Sequence, residues 1–342
     1  MPSLRRARTA RVASLLATVA CLAGCAAVGD PPPAFVHGPY KDLTIAIDRD
    51  SGAMATRVGG ADVSVTTLLT AGSTVSWAFA TGECGRETMG GLDAQKVADA
   101  NVAAFVRAGV DYIISTGGEG AVFTCDSDAD MEAFIRRYAS PRLVGIDLDI
   151  ESRQTPEIVD ALVRRVGAAQ QRHPELRFSF TLPTVAAADA SRSSLNVQGR
   201  SVLQAIRAHG LGRYTINLMV MDYGPPAAAN CVVTPDGKAC DMGASAIRAA
   251  ENLHVVHGVP FAQIELTAMI GVNDVAANDT HPADAERLAR YARERGLAGV
   301  HYWSLDRDTP CPRPAQGASP TCSGLEAVPA LEFSRAVARG LR

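Results

Sequence analysis

No Cys-x-x-Cys pair and no cluster of histidines occurs in the 342 residues, so nothing has the spacing of a zinc site, and neither a metal nor another cofactor is expected. No glycine-rich loop of dinucleotide spacing follows the first apolar run, where "AIDRDSGAMATRVGG" stands instead, which argues against a nucleotide-binding open sheet. Lysine and arginine form no run beyond the N-terminus, and 33 basic residues against 36 acidic ones leave a net charge of −3. That balance excludes a basic nucleic-acid surface. Aromatic residues make up only 5% of the chain, too few to pave a long binding surface. The apolar run "VASLLATVACLAG" is too short to span a bilayer comfortably.

What is present begins with a targeting segment. Arg5, Arg6, Arg8 and Arg11 precede that apolar run as a positive n-region. The run closes in "LAGC", Leu22 to Cys25, which resembles a bacterial lipobox. The resemblance implies a signal peptide over residues 1–24, cleavage before Cys25, and a lipid on its thiol that makes the membrane a partner. Ala26 stands where inner-membrane retention would want aspartate, so an exported cell-envelope lipoprotein of the outer membrane or cell surface is expected. Consecutive prolines in "VGDPPPAFVHGP" suggest a stiff tether over residues 25–37.

Six cysteines remain after such processing, an even number that in an exported protein implies disulfides. Cys231–Cys240 and Cys311–Cys322 each enclose a short, turn-rich stretch, which leaves Cys84 with Cys125.

With 47% hydrophobic residues the chain can bury a large core. Short apolar runs at 43–47, 74–80, 111–118, 143–151, 177–184, 214–223, 263–271 and 299–306 alternate with segments of helical period such as "TPEIVDALVRRVGAAQQRH". Eight strands alternating with helices over about 300 residues predict a (β/α)8 barrel, one domain over residues 38–342. The connection over residues 49–72 carries the weakest helical pattern. In such a barrel, function gathers at the C-terminal ends of the strands.

"LVGIDLDIES" places Asp147, Asp149 and Glu151 at every second position of one strand, so their carboxyls share a face. Carboxyls that close cannot all ionise, and one held protonated at the mouth of a site is a general acid. Glu151 is expected as that acid, Asp149 as its hydrogen-bond partner, and Asp147 as a deeper proton reservoir. Other polar residues fall near strand ends: Ser115, Asp222, Tyr223, Asn273 and Trp303. Trp77 and Phe79 read as core of the second strand, and Met219 and Met221 as barrel packing.

Together these segments resemble glycoside hydrolase family 18, the chitinases and their relatives. "GIDLDIE" matches its Asp-x-Asp-x-Glu signature, "ISTGG" its Ser-x-Gly-Gly motif, "NLMVMDYG" its sixth strand and "GVHYWSLDRDTPC" its last; "MIGVND" is similar to the seventh. The resemblance implies substrate-assisted hydrolysis of polymers of N-acetylglucosamine, with net retention. It assigns catalytic roles to Glu151, Asp149, Asp147 and Tyr223. It assigns substrate contacts to Asp222, Trp303, Asn273 and Met221 and extends them to Ser115, although the small residues there also suit close strand packing. One departure is Val144, where the fuller signature has a further aspartate, which thins the proton reservoir. The expected partner is a polysaccharide or oligosaccharide containing N-acetylglucosamine, met by a monomer in a shallow, non-processive cleft. An N-glycan, peptidoglycan, or a non-catalytic chitin-binding role on the same fold are the alternatives.

Overall fold

A computed structural model describes residues 34–69 and 72–342. The signal segment, Cys25 and most of the expected tether lie outside them.

Eight parallel strands form a closed ring: β1 (Val36–Asp42), β2 (Thr74–Glu83), β3 (Asp111–Gly117), β4 (Leu143–Asp149), β5 (Arg177–Pro183), β6 (Thr215–Met219), β7 (Ile264–Met269) and β8 (Gly299–Trp303). Pairing runs in chain order, and β1 closes the ring by pairing with both β8 and β2. Seven helices follow β2 to β8 in turn: α1 (Ala94–Ala108), α2 (Asp128–Tyr138), α3 (Pro156–Arg172), α4 (Val197–Ala208), α5 (Met242–His257), α6 (Pro282–Arg295) and α7 (Glu332–Gly340). Side-chain caps fix several starts; Asp93, Ser127, Thr155, Asn196 and Asp241 each accept a backbone N–H of the first turn. The predicted (β/α)8 barrel is thus the observed fold.

Two details differ from the sequence reading. The first strand is Val36–Asp42, not residues 43–47, so the barrel begins inside the stretch read as tether. Gly38 and Pro39 disguise it, yet His37, Gly38 and Pro39 pair with Val300, His301 and Tyr302. The connection from β1 to β2 holds no barrel helix; a hairpin of Ala55–Val58 and Ala61–Ser64 and a single helical turn, Val65–Leu68, take its place.

Apolar residues of opposite parity on each strand face the helices. In β4, Ile146 and Leu148 are buried among them, and Asp147 and Asp149 point into the ring. Near the N-terminal ends of the strands a buried ion cluster closes the ring. Glu265 of β7 meets Arg177 of β5 at 2.5 Å and His301 of β8 at 2.7 Å. Burial alone would raise the Glu265 carboxyl, but these partners hold it down to about 2. Disulfides join Cys84 to Cys125, Cys231 to Cys240 and Cys311 to Cys322.

Candidate active site

Asp147 is 1% exposed, and among the described residues no cation pairs with it. Its charge is met instead by four hydroxyls from three other strands. Tyr40 of β1 and Ser115 of β3 donate to Oδ2 at 3.0 and 2.6 Å; Ser179 and Thr181 of β5 donate to Oδ1 at 2.7 and 2.8 Å. The alternation within β4 and β5 aligns these groups, since Asp147 is in register with Ser179 and Asp149 with Thr181. Burial raises the Asp147 carboxyl, and three of the hydroxyls, Ser115, Ser179 and Thr181, pull the other way. The network continues through Asn217, which donates to the Tyr40 and Thr181 oxygens at 2.9 Å and accepts from Thr267.

One turn of the pleat further on, Asp149 is 3% exposed and its Oδ1 has no hydrogen-bond partner. Burial and the negative charges of Glu151 and Asp147 raise its carboxyl well above the usual range. Its carbonyl is held by the Gln154 amide at 3.0 Å and the Gly118 N–H at 3.3 Å. Gly117 and Gly118 make this approach possible: both have positive φ, and a Cβ on Gly117 would lie 2.1 Å from the Asp149 carbonyl oxygen. A Cβ on Gly118 would enter the Phe79 ring.

Glu151 lies two residues beyond the end of β4, half-buried at the mouth of the barrel. Burial, then the neighbouring Glu119 and Asp222, raise its carboxyl to about 7. The hydrogen bond expected between Asp149 and Glu151 is not made. The strand has ended at Asp149, so pleat alternation no longer dictates where the Glu151 side chain points.

A cavity of about 400 Å³ opens over these groups. Its acids are Glu119, Asp149, Glu151, Asp222 and Asp274. Trp303 and Phe79 form one wall, stacked with ring centroids 5.5 Å apart, and Tyr40 lies 6.2 and 6.5 Å from them. The Ala78–Phe79 and Trp303–Ser304 peptide bonds are both cis. Met219, Met221 and Met269 supply further apolar lining.

Several expected site residues therefore converge: Asp149, Glu151, Asp222, Met221 and Trp303 line one cavity, and Asp147 lies beneath it. Asp222 adopts a left-handed φ of 46° and accepts the Val275 N–H at 2.8 Å, while burial raises its carboxyl. The Tyr223 hydroxyl lies outside the cavity lining, buried and without a partner. Two expectations need correction. Ser115 is fully buried, and its hydroxyl is spent on Asp147, so it supports the site and does not touch a ligand. Asn273 is 2% exposed and donates to the Met269 and Gly271 carbonyls, capping the end of β7 and leaving the cavity to Asp274 and Val275.

Phe79 is likewise a wall of the cavity, not core, in contrast to Trp77 on the same strand. Tyr40, Glu119, Asp274, Ser179 and Thr181 went unnoticed in the sequence. Ser179 and Thr181 had a signal, since hydroxyls alternate with phenylalanine in "RFSFTLP". Among the described residues no group of three or more His, Cys, Asp or Glu side chains is arranged to hold a metal ion.

No family profile matches the chain. In sequence it is 26% identical over 306 residues to Endochitinase 11 of Metarhizium anisopliae, covering 83% of this chain and 55% of that protein. It is 24% identical over 309 residues to a probable bifunctional chitinase/lysozyme of Escherichia coli K12, covering 83% of this chain and 32% of the other. The chain thus spans about half the length of the first of these relatives and a third of the second. Among solved structures, the catalytic domain of a hyperthermophilic chitinase from Pyrococcus furiosus superimposes with a TM-score of 0.68 at 23% identity, covering 92% of this chain and 97% of that one. Catalytic-site mutants of active domain 2 of thermostable chitinase from the same organism, complexed with chito-oligosaccharides, give 0.67 at 22%, covering 92% and 96%. At these identities the structures speak for the fold. In sequence the chain is chitinase-like, in line with its resemblance to glycoside hydrolase family 18.

Proposed function

We propose that the chain is a retaining glycosidase acting on β-1,4-linked N-acetylglucosamine, most simply chitin and its oligomers. One observation carries the reading. Asp149, one of whose carboxyl oxygens is buried and unpartnered, lines a cavity whose mouth holds Glu151, a carboxyl that keeps its proton to about pH 7. A buried acceptor left unmade costs about 1–3 kcal/mol, and a ligand N–H would recover it. The acetamido N–H of a substrate is such a donor.

Glu151 protonates the glycosidic oxygen, and the bond to the anomeric carbon breaks as the acetamido carbonyl oxygen of the same sugar attacks that carbon. Asp149 accepts the acetamido N–H and faces the positive charge that develops on the oxazolinium ion. The Tyr223 hydroxyl, buried and unpartnered, is the donor that this reading assigns to the acetamido oxygen. Trp303 and Phe79 offer the sugar an apolar face. Water deprotonated by Glu151 then attacks the anomeric carbon and restores the acetamide, with net retention.

The test is turnover of a fluorogenic tri-N-acetylchitotrioside. Glu151→Gln should lose about 10²–10⁴-fold in kcat, and early product should carry the β-anomer. Wild-type protein that binds chitin oligomers without turnover above Glu151→Gln would leave only a lectin. The similarity to a probable chitinase/lysozyme favours peptidoglycan as a second substrate, ahead of N-glycans, and product analysis on each polymer sorts them. The lipobox-like segment supports attachment to the cell envelope; Cys25→Ser should then move the protein from the membrane fraction to the soluble one.

A further inference from the structure

The proposed reaction gives two of the cavity's acids no contact with the substrate, although Glu119 helps to raise the Glu151 carboxyl. Glu119 follows β3 and Asp274 follows β7, strands that stand opposite one another in a ring of eight. Both side chains line the cavity, both are exposed, and among the described residues neither makes a side-chain hydrogen bond or ion pair. Carboxylates at opposite rims of one cleft repel, so a neutral ligand gives no reason for the pairing.

The rest of the lining sharpens the point. No lysine, arginine or histidine lines the cavity. Its hydroxyls are already committed: Tyr40 and Thr181 donate to Asp147, Thr184 to the Leu182 carbonyl, and Thr267 to Asn217. Arg307, buried behind the wall, donates its guanidinium hydrogens to the Ile270, Val272 and Ser319 carbonyls, and its charge offsets part of that of Asp222 and Asp274 without entering the cavity lining. Asp149 adds an unpartnered buried acceptor at the base. From base to both rims the cavity therefore offers chiefly acceptors; its uncommitted donors are the Trp303 indole, the protons that burial holds on Glu151 and Asp149, and, outside the lining, the Tyr223 hydroxyl assigned above to the acetamido oxygen. Such a site suits a ligand rich in donors and carrying positive charge.

Polymers of glucosamine come as neutral N-acetylated units or as units with a free amine, which is an ammonium ion at neutral pH. We infer that the cleft selects partly N-deacetylated chains. N-acetylglucosamine occupies the position over Asp149 and Glu151, as the reaction requires, and the ammonium groups of flanking glucosamines meet Glu119 on one side and Asp274 on the other. This specificity rests on the function proposed above. Ion pairs at exposed rims contribute little each, about fivefold or less in affinity, and weaken with salt.

Two measurements test it. In the Glu151→Gln background, where turnover is about 10²–10⁴-fold slower, titration calorimetry compares a fully acetylated pentamer with one carrying glucosamine at its flanking positions. In wild type, the kcat/KM ratio for the same two substrates is measured. The deacetylated pentamer should be favoured about three- to tenfold at low salt. Glu119→Gln with Asp274→Asn should bring both ratios close to one, as should raised salt. Ratios that ignore both substitutions and salt, while the acetylated pentamer is still cleaved, would overturn this inference and leave the proposed function standing. Failure to cleave either pentamer would overturn both.

Discussion

Phe79 of β2 and Trp303 of β8 stack at 15° across the strand that separates them, with Tyr40 of that intervening β1 beneath. This wall of the cavity is therefore a two-ring unit, and Trp303 is held in place by a neighbour that reads as core in sequence. Phe79→Ala should remove about 0.5–1.5 kcal/mol of ring–ring contact and raise KM for chitooligosaccharides about two- to tenfold, with kcat changed less. Trp303→Ala should do more damage to kcat/KM than Phe79→Ala. Equal and negligible effects from both would refute the platform.

The alkaline limb of the pH profile follows from Glu151. A general acid must carry its proton, and burial with Glu119 and Asp222 beside it raises this carboxyl to about 7. kcat/KM should hold below that point and fall as pH rises through it. Glu119→Gln takes away one neighbouring negative charge, so the limb should move to lower pH. A limb that stays in place would remove Glu119 from the account.

Asp147 depends on hydroxyls where a buried carboxylate more often has a cation. Ser179→Ala takes away one of the four donors, at 2.7 Å. Chemical denaturation should show a loss of about 1–3 kcal/mol, and no measurable loss would contradict the network. The same network bears on Val144, which sits opposite β3 as the extra residue of a bulge, Leu143 pairing with Tyr112 and Gly145 with Ile113. Here Asp147 is surrounded by hydroxyl donors on β1, β3 and β5, and β4 carries no further acid before it.

Much of this was legible in the chain, and the limits have physical causes. Alternation through "GIDLDIE" revealed the inward-facing acids because a parallel strand buried on both faces must place anything polar inside the ring. The β1 strand stayed hidden because Gly38 and Pro39 have poor strand propensity, and pairing on both sides overrides it. Phe79 and Trp77 have the same parity and similar chemistry, so sequence could not tell which sits in the cleft. Glu119 and Asp274 lie on loops, where no periodicity reports direction.

The ion cluster at the opposite end of the ring makes a prediction about acid. Glu265 has a folded value of about 2, below the ordinary 4.5, so its contribution is complete above pH 4.5 and is lost as pH falls towards 2. The full shift is worth roughly 3 kcal/mol. His37, pushed down to about 4 by burial and by His301, loses stability in the same direction as pH drops below 6.5. Glu265→Gln should lower the melting temperature at pH 7 and flatten its decline between pH 5 and 3, as read by thermal melts. An unaltered slope would show that the cluster is not the acid-labile element.

The three disulfides all fasten segments that follow the C-terminal ends of strands: Cys84 and Cys125 after β2 and β3, Cys231–Cys240 after β6, Cys311–Cys322 after β8. At the opposite end, among the described residues, no disulfide joins the segments, and the buried Glu265–Arg177–His301 cluster adds to the strand pairing. The molecule is thus guarded against different hazards at its two ends. A reductant should blunt the working face while the ring persists, whereas acid should loosen the base while the stapled loops keep their shape.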